Sequence, residues 1–213
     1  MATFGELATK ASTRLKDADN TAVSASDVRD VINDAIQHWS KDRFWFNEFE
    51  ETVTLTQNNP ALTLSTNTPL YLFQADGVVI NFAQTRWPLK KVSGIEYDRM
   101  NTQGRGLPFA WTERDNGFEV YWYPDTNYEA IVRGIKAYDR FATDGTADNQ
   151  SNDFTIQAAD LIMYEALSRL FGEFRQDEKM EAYYQARTTN EYKSLKAQTR
   201  RDKATGRVNV RGF

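Results

Sequence analysis

The side chains that could act as acids, bases or metal ligands are few in this sequence. It contains one histidine, His38, and no cysteine, which excludes a thiolate metal site, a thiol nucleophile and a histidine-rich metal centre. A Ser-His-Asp triad would have to use His38. This residue follows Asp34 by one helical turn and stands beside Trp39, but no serine or cysteine motif surrounds it. We therefore expect a structural histidine at the end of a helix.

Carboxylates form two local clusters, and two such groups facing each other across a cleft could hydrolyse a glycosidic bond. Acids on alternating strand positions and in hairpin turns are ordinarily solvated, so we expect no catalytic site, metal or cofactor there. Gly104-Arg105-Gly106 lacks the further residues of a nucleotide-binding loop and predicts only a turn. The clusters are Glu48, Glu50 and Glu51, and Glu113, Asp115 and Glu119.

Two dense aromatic runs, Phe44-Trp45-Phe46 and Tyr121-Trp122-Tyr123, are candidates for binding or assembly. Aromatic side chains can stack bases or sugars, and they are enriched both in cores and at interfaces. Because side chains alternate between the two faces of a strand, three consecutive aromatics on a strand cannot all face one core. Two alternatives stay open for both runs, which are coverage by helices and a subunit interface.

The composition is that of a folded protein of the cell interior. The 213 residues are 40% hydrophobic and 26% charged, which excludes general disorder, and a compact chain of this length buries about 70% of its surface. The amino terminus lacks the basic and apolar regions of a secretion signal. No apolar stretch approaches the roughly 20 residues that span a bilayer. We therefore expect a soluble intracellular protein.

Charge is unevenly distributed along the chain. Residues 193–213 carry seven basic side chains against Asp202 alone, a net charge of +6, and since the whole chain carries −4, residues 1–192 carry −10. A basic terminal arm on an acidic body is typical of interaction tails. The acidic body would repel duplex DNA, and no aromatics are interleaved with the basic residues. This pattern favours an acidic protein as the partner of the arm.

Apolar residues recur at helical spacing in two separated pairs of segments. Ser24, with Asp27 three residues later, forms a capping-box-like start for the second helix. Gly172 is predicted to end the third helix. The predicted helices cover residues 3–16, 24–39, 156–172 and 180–195, and a polar connector covers residues 139–153.

Between the two helix pairs the hydrophobic period changes to two, which predicts β-strands. The strongest hairpin signal is Asp115-Asn116-Gly117. Short strands at this spacing favour an antiparallel sandwich or a small barrel. The predicted strands cover residues 52–56, 70–73, 77–84, 87–91, 109–112, 118–123 and 128–138.

These elements predict an α+β fold. It consists of a discontinuous α-helical bundle of two helix pairs, an inserted antiparallel β-sandwich or barrel-like module, and an extended carboxyl-terminal arm. Two separated helix pairs bury their apolar stripes most economically against each other, which makes the β region an insertion. The predicted parts are a helical domain (1–48 and 153–198), the β module (49–140), a linker (141–152) and the arm (199–213).

Several short signatures occur in an order that resembles the head-to-tail adaptor (connector or neck) proteins of tailed bacteriophages, most similar to those of short-tailed phages. The resemblance covers nearly the whole chain and includes its two helix pairs and its carboxyl-terminal arm. The signatures are Ala35 to Trp39, Gly106 to Trp111, Phe118 to Pro124, Gly134 to Tyr138 and Ile162 to Leu167.

This resemblance implies a non-enzymatic virion protein, made in the host cytoplasm, that assembles as a ring, commonly a dodecamer, beneath the portal. The ring would extend the DNA channel and provide a docking platform for tail or nozzle proteins. Double-stranded DNA would pass without tight binding, because carboxylates lining a channel repel phosphates. The resemblance also implies that the arm reaches the portal. We expect the protein to bind no cofactor and to have no contact with a membrane. The candidate portal-binding residues are Arg200, Arg201, Lys203, Arg207, Val208, Val210, Arg211 and Phe213.

Two other functions stay open on the sequence. A carbohydrate-binding or glycan-hydrolysing protein associated with a phage tail would use Trp111, Trp122 and the clustered acids. A nucleic-acid-binding protein would show a steep dependence of DNA binding on salt.

Overall fold

The computed structural model describes residues 2–15, 23–64, 71–73, 77–100, 104–114 and 117–209, with residues 202–209 described as backbone. The chain divides into two compact units. The helical unit comprises Met1–Asn47 with Tyr138–Phe213, and the β unit comprises Glu48–Ala137. The finer boundaries drawn from the sequence, including the linker at 141–152, stay a prediction.

Side-chain caps fix where the helices begin. The Ser24 hydroxyl accepts a hydrogen bond from the Asp27 backbone N–H, which confirms the start predicted there, and Thr3 forms a capping box with Glu6. Each cap satisfies a backbone donor that has no partner within the helix. The helices are α1 (Phe4–Arg14), α2 (Ala25–Trp39), α3 (Gly94–Arg99), α4 (Asp153–Gln157), α5 (Ala159–Leu170) and α6 (Glu178–Asn209).

One apolar core fills the helical unit and draws on both ends of the chain. Phe4 and Ile32 from the first helix pair are buried in the same cluster as Leu167 and Leu195. These residues are far apart in sequence, so the contacts of α1 and α2 with α5 and α6 are long-range. The burial follows from the apolar stripe that each helix carries.

The chain reverses direction between α5 and α6 at a different residue from the one predicted. Gly172 does not end a helix, because a π-helical turn, Phe171–Arg175, continues from α5, and Gln176 makes the reversal with φ at 52°. A Cβ atom at Gly172 would lie 2.9 Å from the Glu181 carboxyl group. A side chain at this position would therefore have to displace the Glu181 carboxylate.

The carboxyl-terminal arm is helical where it is described, and the prediction of an extended arm was wrong. Helix α6 continues through Thr199 to Asn209, whereas residues 210–213 lie outside the described residues. A helix that is already nucleated propagates readily through arginine, lysine and alanine, which are good helix formers. No proline follows in the sequence to stop it.

The polar connector after the β unit is fastened to α2 by side chains. The buried Asn33 amide donates to the Phe141 carbonyl and accepts from the Phe141 backbone N–H. Arg29 donates two hydrogen bonds, of 2.9 and 2.7 Å, to the Asp148 carboxylate, and this carboxylate raises the pKa of Arg29. The connector is thus held by polar contacts to α2, and its own Phe141 and Ala147 also pack in the helical core.

Tyr138 marks the start of this connector. Its hydroxyl donates to the Asp153 carboxylate at 2.8 Å, and its ring packs against Phe154. Burial raises the pKa of Tyr138, and the neighbouring carboxylate of Asp153 raises it further.

The β unit contains two open sheets and a short strand pair. Strand order in the larger sheet is β1-β11-β4-β5, with β3 also on β11, and in the smaller sheet β2-β9-β8-β6, while β10 pairs with β7. The strands are β1 (Glu48–Leu55), β2 (Ala61–Leu62), β3 (Tyr71–Leu72), β4 (Val78–Phe82), β5 (Thr85–Pro88), β6 (Lys90–Lys91), β7 (Arg105–Gly106), β8 (Ala110–Arg114), β9 (Gly117–Tyr121), β10 (Tyr123–Pro124) and β11 (Tyr128–Ile135).

The larger sheet is antiparallel, and among the described strands neither sheet closes into a barrel. Closure requires the first and last strands to pair, but β1 and β5 end the larger sheet as separate edges. The barrel-like alternative was therefore wrong, and the sandwich arrangement stays a prediction. The β-unit core contains Val53 and Val132 from the larger sheet with Trp111 and Val120 from the smaller one.

The predicted hairpin forms between β8 and β9, which pair in antiparallel fashion with Arg114 opposite Gly117. Asp115 and Asn116 lie outside the described residues. Gly117 has φ at +142°, a backbone conformation that glycine adopts more easily than other residues.

Candidate assembly surfaces

The first aromatic run belongs mainly to the core of the helical unit. Phe44 has no exposed surface and stacks on Phe46 with the ring centroids 5.2 Å apart, and both rings meet the edge of Phe154. Trp45 is half-buried against the same core. The run precedes β1 and is not part of a strand. Coverage by helices is therefore the alternative that the structure supports for Phe44 and Phe46.

The second run behaves differently, because one member lies at the surface. Tyr121 is buried, whereas the Trp122 side chain is 39% exposed and meets the edge of Phe109, itself 46% exposed, at 5.3 Å. Tyr123 is half-buried. We call Phe109 and Trp122 the aromatic patch. A subunit interface at Tyr121, Trp122 and Tyr123 stays a prediction.

Gly104 and Gly106 form the floor of the aromatic patch. A Cβ atom on Gly104 would lie 2.2 Å from the indole Nε1 of Trp122, and one on Gly106 would lie 3.2 Å from the same ring system. Arg105 and Gly106 also pair in parallel with Tyr123 and Pro124. The two glycines therefore make space for the indole ring. The sequence predicted only a turn at these residues, whereas Arg105 and Gly106 form part of a strand pair.

The clustered carboxylates are paired with cations on neighbouring strands. Glu50 binds Arg133 at 2.7 Å and Glu113 binds Lys91 at 2.8 Å. Glu119 approaches Arg114 at 3.4 Å, while Glu48 and Glu51 lie on β1 and Asp115 lies outside the described residues. Within the described ranges, no group of three or more histidine, cysteine, aspartate or glutamate residues could hold a metal ion.

The carbohydrate-binding alternative loses one of its two tryptophans. Trp111 is fully buried in the β-unit core, so its ring cannot stack on a sugar. Trp122 offers only part of its indole, because the ring also packs on Phe109. The residues expected to bind a glycan are therefore not assembled on one exposed surface.

His38 lies at the surface in the last turn of α2. Its ring meets the edge of Trp39 at 4.8 Å, and it borders a shallow cavity of about 320 Å³. Asp34, one turn earlier, is bound by Arg140 at 2.6 Å. The Asp34 carboxylate is thus already engaged by a cation, as expected for a structural role.

A second cavity, which we call the basic groove, lies in the helical unit between α6 and the chain that follows α2. Its volume is about 620 Å³, and the spacing of Lys193, Lys196 and Arg200 along α6 directs three cations to one helix face. Arg43 lines the other wall. The lining residues are Arg43, Tyr192, Lys193, Lys196, Ala197, Thr199 and Arg200.

Lys196 joins the two walls of the basic groove. Its ammonium group donates to the Arg43 carbonyl at 3.1 Å and to the Asp42 carboxylate at 3.3 Å. The same group lies 4.8 Å from the ring centroid of Phe44 and 5.3 Å from that of Tyr192, distances at which a cation is attracted by an aromatic ring. Lys196 is therefore fixed in place by the fold.

The basic groove was only half visible in the sequence. The spacing of Lys193, Lys196 and Arg200 on one helix could have indicated its α6 wall. Arg43 lies 153 residues before Lys196. In the sequence its segment stood out only for the aromatic run Phe44-Trp45-Phe46. Such a long-range contact leaves no local signal.

No helix within the described part of the chain has the length and apolar character needed to cross a membrane.

A comparison with family models agrees with the resemblance seen in the sequence. A model described as "SU10 adaptor protein" matches residues 2–211 and so includes both units. No curated protein matches the chain significantly. The match confirms the likeness to phage head-to-tail adaptors over nearly the whole sequence. The chain therefore belongs to the SU10 adaptor protein family.

Proposed function

We propose that this phage adaptor works as a ring in the virion neck, between head and tail. The ring, of twelve copies in this proposal, sits beneath the portal, extends the DNA channel and provides the surface on which tail or nozzle proteins dock. The observation that carries the proposal is the adaptor family match over residues 2–211.

The distribution of charge supports a passive channel. Residues 1–192 carry a net charge of −10, and like charges keep the phosphate backbone of passing DNA from binding to the wall. A channel lined by cations would instead retain the DNA through release of its counterions. We therefore infer that DNA passes without tight binding.

The carboxyl-terminal arm is the part of the chain that reaches the portal in this proposal. Along α6, buried residues recur at Tyr184, Thr188, Leu195 and Thr199, so the helix is tied to its own unit as far as Thr199. Beyond this point the sequence is basic, and its arginines and lysines suit an acidic surface on a partner. The portal contacts proposed are Arg200, Arg201, Lys203, Arg207, Val208, Val210, Arg211 and Phe213.

The experiment that tests this proposal is truncation after Arg201, which leaves the buried Thr199 in place. We expect the truncated chain to melt at nearly the same temperature as the full chain and to lose co-sedimentation with purified portal particles. A full-length chain with residues 202–213 in scrambled order is the control for length and charge. Undiminished binding of the truncated chain to the portal would contradict the role of the arm.

A further inference from the structure

The basic groove is a cavity that shares only Arg200 with the proposed portal contacts. Lys193 and Arg200 are exposed and form no ion pair with any residue that the structure describes. Lys196 between them is held by Asp42 and the Arg43 carbonyl. The groove therefore presents two cations, Lys193 and Arg200, that have no ion-pair partner among the described residues, beside the Lys196–Asp42 pair.

We propose that the basic groove binds an acidic peptide segment of a partner protein. Lys193 and Arg200 are separated along α6 by about 10 Å at 1.5 Å per residue, a distance that about three residues of extended peptide span. Carboxylates spaced along such a segment would meet Lys193 at one end and Arg200 at the other. The Arg43 side of the cavity closes the groove across from them.

The shape and lining of the groove favour a peptide over nucleic acid. Tyr192 and Ala197 lie among the cations, so the cavity offers apolar surface for the side chains of a peptide. Duplex DNA carries one negative charge per about 1.7 Å of its axis, about twice the charge density of an extended acidic peptide. The net charge of −10 on residues 1–192 therefore repels the duplex more strongly than a short acidic segment.

This inference does not depend on ring assembly, because it concerns a surface of the single chain. The test uses the full-length chain and the fluorescence anisotropy of a labelled hexaglutamate peptide, with a short labelled duplex DNA as the rival probe. We expect peptide binding that weakens as salt rises. Lys193→Glu with Arg200→Glu should lower the affinity about tenfold, since two attractions become repulsions.

The matched control is Lys10→Glu with Lys179→Glu, which changes the net charge equally at exposed positions outside the groove. This control should stay within about twofold of the unaltered chain. Arg207→Glu with Arg211→Glu tests the arm as the site of binding instead. If the double glutamate variant of Lys193 and Arg200 does not fold, the variant Lys193→Gln with Arg200→Gln, which removes both charges, is used in its place.

Four results would overturn the proposal. They are no measurable binding of the peptide, a loss of affinity in either control as large as in the groove variant, tighter binding of the DNA than of the peptide, and self-association of the chain that the groove variant abolishes. The last result would make a second copy of the chain the occupant.

Discussion

Close contacts of single residues explain several local features of the molecule. The indole of Trp122 lies where a side chain on Gly104 would be, with a Cβ atom 2.2 Å from Nε1 and 2.3 Å from Cδ1. A glycine at this position is required by the space that the ring occupies. The aromatic patch therefore depends on a residue that has no side chain.

Gly104→Ala should displace the Trp122 ring and lower the free energy of unfolding by about 1–3 kcal/mol, the usual cost of forcing extra atoms into a packed site. Gly94→Ala is the matched control, because its Cβ atom would meet no atom within 4 Å and alanine is the better helix former. Thermal and urea unfolding measure both variants. Equal stability of the two would show that the indole does not pack as described.

Because of its buried tyrosines, the free energy of unfolding of the protein should vary with pH in the alkaline range. Burial raises the pKa of Tyr138 and of Tyr97, and burial together with Asp125 raises the pKa of Tyr128 to about 12. Tyrosine in the unfolded chain ionises near pH 10. The stabilisation is therefore complete below about pH 10 and is lost as pH rises towards the pKa of the folded protein.

The melting temperature should fall between about pH 10 and 12. Tyr138→Phe should be less stable at pH 8 by about 1 kcal/mol, because it lacks the hydrogen bond to Asp153, but its melting temperature should fall less steeply above pH 10. A Tyr138→Phe variant with the same alkaline slope as the unaltered chain would contradict the role given to this hydroxyl.

At the scale of elements, side-chain hydrogen bonds from α2 help to fix the polar connector, beside the packing of Phe141 on the helical core. Asn33 on α2 is buried and makes two hydrogen bonds to the backbone of Phe141. The neighbouring Asp34 is exposed and makes an ion pair with Arg140. Asn33 and Asp34 thus hold the same connector, Asn33 by hydrogen bonds from a buried side chain and Asp34 by an exposed ion pair.

Asn33→Ala should destabilise the protein by roughly 1–3 kcal/mol, because it leaves part-buried backbone groups of Phe141 without a partner. Asp34→Ala, the matched neighbour, should change stability by less than about 1 kcal/mol, as exposed ion pairs usually do. Chemical denaturation distinguishes the two. A larger effect at Asp34 than at Asn33 would reverse the order that burial predicts.

Elements with a strong local pattern were predictable from the sequence. The apolar stripes located α1, α2 and α5, and the Ser24 cap fixed one helix start. By contrast, α3 was missed because it is short, and its Ile95 is largely exposed, so it carries no apolar stripe. Gln176, which makes the reversal before α6, was missed because glycine is the usual residue at such positions.

The candidate surfaces were predictable only in part, because they depend on contacts between residues that are far apart in the sequence. Runs of aromatic and basic residues could be read directly, but which members are exposed depends on the core. Phe44 is buried and Trp122 is exposed, although both stand in similar triplets. The pairing of Arg43 with the basic face of α6 also arises only on folding.

At the scale of the whole molecule, the chain separates its charge between an acidic body and a basic carboxyl-terminal segment. In the proposed ring, this separation serves two tasks in one protein. The acidic body lets DNA pass, and the basic segment binds an acidic partner. Charge-dependent encounter with that partner should be faster at low salt than at high salt.

The central claim is that many copies of this chain assemble on a portal. The most direct test is the native mass of purified cognate portal particles before and after mixing with an excess of the full-length chain. We expect a single new species whose added mass is a dodecamer of the 24.5 kDa chain, with no intermediate numbers of copies at saturation. A portal mass that stays unchanged, or that rises by only one or two copies, would contradict the account.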